Sequence, residues 1–135
     1  MRSDLRVRLL ERTNARYLTA DQLGPVGGAE HISFIAMDVS FISVTLVLPA
    51  VFDAVFAASH EPNREMVILI KPQFEVGRES VGKGGIVKDE HARQMAVLKV
   101  YKAVETLGGH DMEVIDSPIT GMEGNREYLL HGRFS

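Results

Sequence analysis

The sequence predicts an α/β domain built on a mostly parallel sheet. Three observations carry that expectation. The apolar run Met66-Val-Ile-Leu-Ile70 stops abruptly at Lys71-Pro72, as a parallel strand covered on both faces ends at a polar carboxyl edge. A second run, Ile32 to Met37, stops in the same way at Asp38. Between and after these runs lie stretches with helical caps and spacing, and strands that alternate with helices form parallel sheets with right-handed crossovers.

In chain order, Leu5 to Leu10 alternates apolar and charged residues and reads as a half-exposed strand, the first of five. Glu11 to Arg16 is a polar turn. Thr19 can cap one helical turn that Gly24-Pro25 stops, and Gly27 and Gly28 make a loop. After Ile32–Met37, Ser43 can cap a helix running to about Ala58, in which Pro49 threatens a kink. Met66–Ile70 follows, then a long glycine-containing loop from Phe74 to Val87. Asp89 caps a helix from Glu90 to Leu107, with Met95, Leu98, Val100 and Val104 near helical spacing and Gly108-Gly109 at its end. Met112–Ile115 and Tyr128–Leu130 are the last strands. No helix joins them, so one is expected to run antiparallel.

The bulk numbers set limits. The 135 residues suffice for one domain with a real core. At 45% hydrophobic and 24% charged, the composition is that of a soluble globular protein. A net charge of −3 argues against a strongly basic nucleic-acid patch without excluding a local one. The absence of cysteine removes disulfide and thiol chemistry and fits a cytoplasmic location. Phe41 to Ala58 is largely apolar, but Ser43, Thr45, Pro49 and Asp53 interrupt it. A span requires about 20 mostly apolar residues, so a buried helix and no membrane association are expected. The five histidines are scattered, and no metal site is predicted.

Pro72 keeps Lys71 extended, and sites in open α/β sheets lie just beyond the carboxyl ends of the strands. Asp38 and Lys71 would leave neighbouring strands at one edge, where a carboxylate holds an ammonium in place. Glu127 opens the last strand and could pair with the lysine or bind substrate. A lysine held among carboxylates and covered by substrate can accept or relay a hydroxyl proton. A structural ion pair at a sheet edge is the alternative.

The motifs Glu11-Arg-Thr-Asn-Ala-Arg16, Asp38-Val-Ser-Phe-Ile-Ser43, Lys71-Pro-Gln-Phe-Glu-Val-Gly77, Gly84-Gly-Ile-Val87 and Ser117-Pro-Ile-Thr-Gly…Gly124-Asn-Arg-Glu127 resemble the haemolysin A-type (TlyA-like) branch of the FtsJ-like RNA 2′-O-ribose methyltransferases. The resemblance runs from about Arg6 to His131. It implies a Rossmann-like, S-adenosylmethionine-dependent fold that methylates ribosomal RNA, with ribosomal RNA or ribosomal subunits as partners. It also implies a Lys-Asp-Lys-Glu tetrad of which Asp38, Lys71 and Glu127 are the last three members. Lys71 would take the 2′-hydroxyl proton, Asp38 would orient it, and Glu127 would hold substrate or the lysine. Thr13, Asn14, Asp38 and Phe41 are the expected cofactor contacts. Asn14 as a turn former and Phe41 as a core residue are their alternatives.

Members of that branch also carry an S4-type RNA-binding domain, the first tetrad lysine, a glycine-rich loop and an acidic residue that holds the cofactor ribose. None has a counterpart in these 135 residues. The expected domain is therefore the C-terminal part of such an enzyme, with the first two strands missing, inactive alone. Its first strand would lack neighbours, and an open edge favours a homodimer. A non-catalytic RNA- or partner-binding protein that keeps the fold is the rival expectation, and a membrane-active haemolysin a more distant one. Gly77 to Gly84 approaches a P-loop but places Gly84 where the metal-binding hydroxyl belongs. A lid or RNA-contacting loop, with Arg78, Lys83 and Lys88 meeting phosphate, is preferred to nucleotide binding, and a plain solvated loop is an equal alternative to it.

Overall fold

A computed structural model describes residues 4–24, 31–57, 59–121 and 124–135. Strands β1 (Phe34–Met37), β2 (Arg64–Ile70), β3 (His110–Asp116) and β4 (Tyr128–Phe134) form one sheet in the order β1-β2-β4-β3. β1 and β2 are parallel, and β4 runs antiparallel to both β2 and β3. Three strands therefore share a direction, and the reversed strand is the last in sequence, as expected. It lies inside the sheet, wedged between β2 and β3.

The described part of Leu5–Leu10 forms no strand, and the physical reason is local. Asp4 Oδ1 accepts from the Arg6 backbone N–H at 2.9 Å, and Val7 N–H bonds to the Asp4 carbonyl at 3.0 Å. This side-chain turn competes with extended structure, and alternation without a paired neighbour does not hold a strand. The Arg6 guanidinium lies against the same carboxylate and holds it below the usual range. Among the described residues β1 is thus an edge strand of the sheet.

Helix α1 (Val44–Val51) begins at Ser43, whose hydroxyl accepts from Thr45 N–H. Pro49 lies inside it and has no N–H to donate. The chain then widens into a π-helical turn, Phe52–Phe56, closed by Ala57 N–H on the Phe52 carbonyl at 3.0 Å. Ala58, the expected helix end, lies outside the described residues, as do Pro25, Gly27 and Gly28. Helix α2 (Glu90–Thr106) starts at Asp89 and ends before Gly108, whose φ of 102° suits a residue without Cβ. Its buried stripe is Ala92, Ala96, Val100 and Val104 with Arg93, whereas Met95 and Leu98 are exposed. Helical spacing alone did not distinguish the two faces, because the small Ala92 and Ala96 share the buried face with Val100 and Val104.

Met66, Ile68 and Ile70 of β2 are fully buried in one core with Val47, Leu48, Val100, Val104 and Leu130. Phe56 closes this core against Phe134, with ring centroids 5.3 Å apart. Val67 and Leu69, on the opposite face of β2, are only half-buried. The sheet is therefore covered by helices on one face only among the described residues, not on both as the apolar run suggested. The Phe74–Val87 loop is tightly folded, with short 3-10 turns at Pro72–Phe74, Arg78–Ser80 and Lys83–Gly85.

Candidate active site at the strand ends

Asp38 and Lys71 are the first residues past β1 and β2, and Met37 pairs with Ile68 in the parallel register, so both leave the sheet at one edge. Lys71 keeps extended dihedrals (φ −113°, ψ 95°) because Pro72 follows it. Its Nζ lies 2.5 Å from Asp38 Oδ1 and donates to Ser40 Oγ at 2.8 Å. The lysine side chain is 11% exposed and the aspartate side chain 67%. A nearly enclosed ammonium is thus held by an open carboxylate, at the edge where α/β sheets bind ligands.

Glu127 is buried close by, but its carboxylate does not pair with Lys71. Its Oε2 accepts from Gln73 Nε2 at 2.9 Å, and Gln73 lies on the turn that Lys71 begins. Gly121 packs so tightly against this carboxylate that a Cβ there would stand 1.7 Å from Oε2. Residues 122 and 123 of the same turn lie outside the described set.

Phe41 is not a core residue. It sits at φ 66°, is 78% exposed, and its ring faces Phe74 with centroids 5.1 Å apart. A bulky residue in that left-handed conformation is strained, and such strain gathers at functional sites. Asn14 forms a turn: its Oδ1 accepts from Arg16 N–H at 3.0 Å. Thr13 donates to the Glu11 carbonyl. Among the described residues no hydrogen bond joins this pair to Asp38 or Phe41, while Asp38 and Lys71 are joined directly.

Arg78, Lys83 and Lys88 are all exposed on the loop after Lys71. The end of that loop is fastened. Asn125 Oδ1 accepts from Val87 N–H at 3.0 Å, and its Nδ2 donates to the Gly85 carbonyl at 2.9 Å. Arg93 Nη1 donates to the carbonyls of Val87 and Lys88. Sequence reasoning missed Asn125, Ser40 and Gln73, and also Glu75. The buried Glu75 accepts from Ser43 Oγ at 2.5 Å and Val44 N–H at 2.8 Å, and pairs with Lys99 at 3.2 Å. It is the anion that closes the N-terminus of α1. The Lys-Pro-Gln-Phe-Glu run marks these positions, but their partners lie some 30 to 50 residues away. Among the described residues no three His, Asp or Glu side chains are placed to hold a metal, and no helix is long and apolar enough to cross a membrane.

Parallel strands that deliver a lysine–carboxylate pair to one sheet edge define an α/β domain with an ion pair where such sheets bind ligands. The chain belongs to the FtsJ-like methyltransferase family, whose model matches residues 1–134. It is 44% identical over 130 residues to the 16S/23S rRNA (cytidine-2'-O)-methyltransferase TlyA of Mycobacterium tuberculosis, covering 96% of this chain and 45% of that one. It is 36% identical to Hemolysin A of Brachyspira hyodysenteriae, over 97% of this chain and 51% of that one. The crystal structure described as "a putative hemolysin from Lactococcus lactis" superposes with a TM-score of 0.84 at 39% identity, over 99% of this chain and 60% of that one. The chain spans about half the length of the curated relatives it matches.

Proposed function

We propose that this chain supplies the proton-transfer half of an S-adenosylmethionine-dependent methyltransferase that acts on a ribose 2′-hydroxyl of ribosomal RNA. The observation that carries the reading is the enclosed Lys71 held by Asp38 at the ligand-binding edge of the sheet. The family membership and the printed activity of the M. tuberculosis relative supply the reaction class.

Asp38 presents an open carboxylate and Phe41 an open ring at this edge, which suits a cofactor that joins a cation to an aromatic base. Bound there, S-adenosylmethionine supplies an electrophilic methyl group. Lys71, as the amine, takes the hydroxyl proton at Nζ, and Asp38 stabilises the ammonium that results. Ser40 holds Nζ from the other side. Glu127 acts at one remove, through Gln73. Arg78, Lys83 and Lys88 meet RNA phosphates from the loop. Thr13 and Asn14 meet the cofactor from the turn that Asn14 caps.

The reading includes two further statements. The 135 residues by themselves do not turn over, since they contain no counterpart of the glycine-rich cofactor loop. The open β1 edge pairs two copies of this isolated chain. Methyl transfer from labelled S-adenosylmethionine to ribosomal RNA tests the activity, using this chain and a version extended upstream through its reading frame. The extended form is expected to methylate RNA and its Lys71→Ala variant to lose at least about a hundredfold in rate. An unchanged rate in Lys71→Ala would sink the assignment.

A further inference from the structure

We propose that the outer edge of β3 takes up an extended basic segment of a partner protein as an added strand. The inference goes beyond the RNA reading above and does not depend on it. β3 stands at the end of the sheet and pairs only with β4. Ser117 N–H bonds to the Glu127 carbonyl at 2.9 Å. Antiparallel pairs alternate, and Ile115–Leu129 and Glu113–His131 follow this pair in steps of two, so Ile115 and Glu113 turn their backbone groups toward β4. Val114 and Asp116 therefore each point an N–H and a C=O outward. Among the described residues no backbone group bonds to them on that side. Before Glu113 the register shifts, and Asp111 sits at φ 49°, so the regular open edge is Glu113 to Asp116.

The side chains along this edge specify the strand that fits. Val114 pairs with the core residue Leu130 and so faces α2, where it borders, with Gln94, Val97 and Tyr128, a mainly apolar groove of about 270 Å³. Ile115, on the other face, is 57% exposed. The exposed carboxylates of Glu113 and Asp116 flank these two. Residues directly across a sheet contact one another, opposite charges favourably and like charges unfavourably. A strand laid on this edge meets acid, apolar, apolar, acid, and its complement is basic, apolar, apolar, basic. That pattern reads the same in both chain directions. Arg126 lies 3.4 Å from Asp116 with both side chains more than half exposed, and so weak a pair yields to an incoming lysine.

The same carboxylates repel a phosphate backbone, so the occupant is a protein segment and not RNA. Basic arms are a feature of proteins that accompany nucleic acids. Main-chain hydrogen bonds supply the affinity of such strand addition, and the groove and the two acids supply the choice. Asp116 is level with Ile70 across Tyr128, so a docked strand would lie alongside the sheet end that carries Lys71.

Fluorescence anisotropy of a labelled decapeptide, Lys-Val-Ile-Lys flanked by serine and glycine, tests this on the whole chain. It is expected to bind at least about tenfold tighter than its Glu-Val-Ile-Glu counterpart. N-methylation of alternate peptide amides should weaken binding about tenfold in one of the two phases, the phase whose N–H groups face β3. Glu113→Lys combined with Asp116→Lys should reverse the preference between the two peptides. On the unsubstituted chain, the amide protons of Val114 and Asp116 should shift and exchange more slowly on peptide binding, while those of β1 stay unchanged. No binding would overturn the proposal and leave the carboxylates as guards of a bare edge. So would binding that ignores N-methylation in both phases, shifts confined to β1, or displacement of the peptide by an all-uridine pentanucleotide. Methyl transfer by the extended form is read separately, so either reading can fail without the other.

Discussion

Glu75 Oε2 accepts the backbone N–H of Val44 at 2.8 Å, so the turn that follows β2 caps the helix that follows β1. The same carboxylate takes the Ser43 hydroxyl and faces Lys99. One buried anion thus locks together the two crossings that carry Asp38 and Lys71.

Glu75→Ala is expected to destabilise the fold by about 3 kcal/mol, because it orphans a buried donor and uncaps α1. Lys99→Ala, at a half-open lysine, should cost under about 1 kcal/mol. Urea unfolding of the two variants reads the difference, and equal effects would refute the capping role.

Asp38→Asn separates chemistry from stability. The open side of the pair limits its contribution to folding to about 1 kcal/mol or less. The loss of the charge that orients Lys71 should lower methyl transfer by the extended form roughly a hundredfold. A collapse of the urea midpoint without a kinetic effect would reverse the assignment.

Phe41→Gly relieves a left-handed residue of about 1 kcal/mol of strain while losing a ring contact of similar size and loosening the unfolded chain. Stability should stay within about 1 kcal/mol of the parent. RNA or cofactor affinity should fall at least about tenfold, as expected for losing a stacked ring. Thermal melting and titration together check this.

Gly121→Ala forces the Glu127 carboxylate from its place, and overpacking of this kind costs about 1–3 kcal/mol. The Gln73 amide should then lose its fixed orientation, visible as a shift of its side-chain resonance. An unshifted resonance in a folded variant would contradict the packing.

The open edge of β1 predicts a concentration-dependent dimer in sedimentation equilibrium. A charge on the exposed edge, Ala36→Lys, should hold the chain monomeric. A monomer across the whole series would remove the proposal.

What was legible in the sequence follows the range of the forces involved. Asp38 and Lys71 could be read because each ends an apolar run, and a strand end is a local event. Ser43 and Asp89 could be read as caps for the same reason. The Leu5–Leu10 strand failed because a strand needs a neighbour, which local alternation cannot supply, while Asp4 offered the backbone a nearer partner. Gln73, Glu75 and Asn125 stayed hidden because their hydrogen bonds close over long stretches of chain. The exposure of Phe41 was hidden too, since an aromatic beside an apolar run gives no sign that its backbone turns left-handed.

The position of β4 bears on how the molecule is made. β3 reaches the rest of the sheet only through β4. During synthesis, β1, β2 and both helices emerge before any of β4 does, and β3 must wait with one flank unmatched until Tyr128 to Phe134 arrive. Until those residues are in place, β2 and β3 each keep a border that β4 alone fills, so the sheet closes last at its interior.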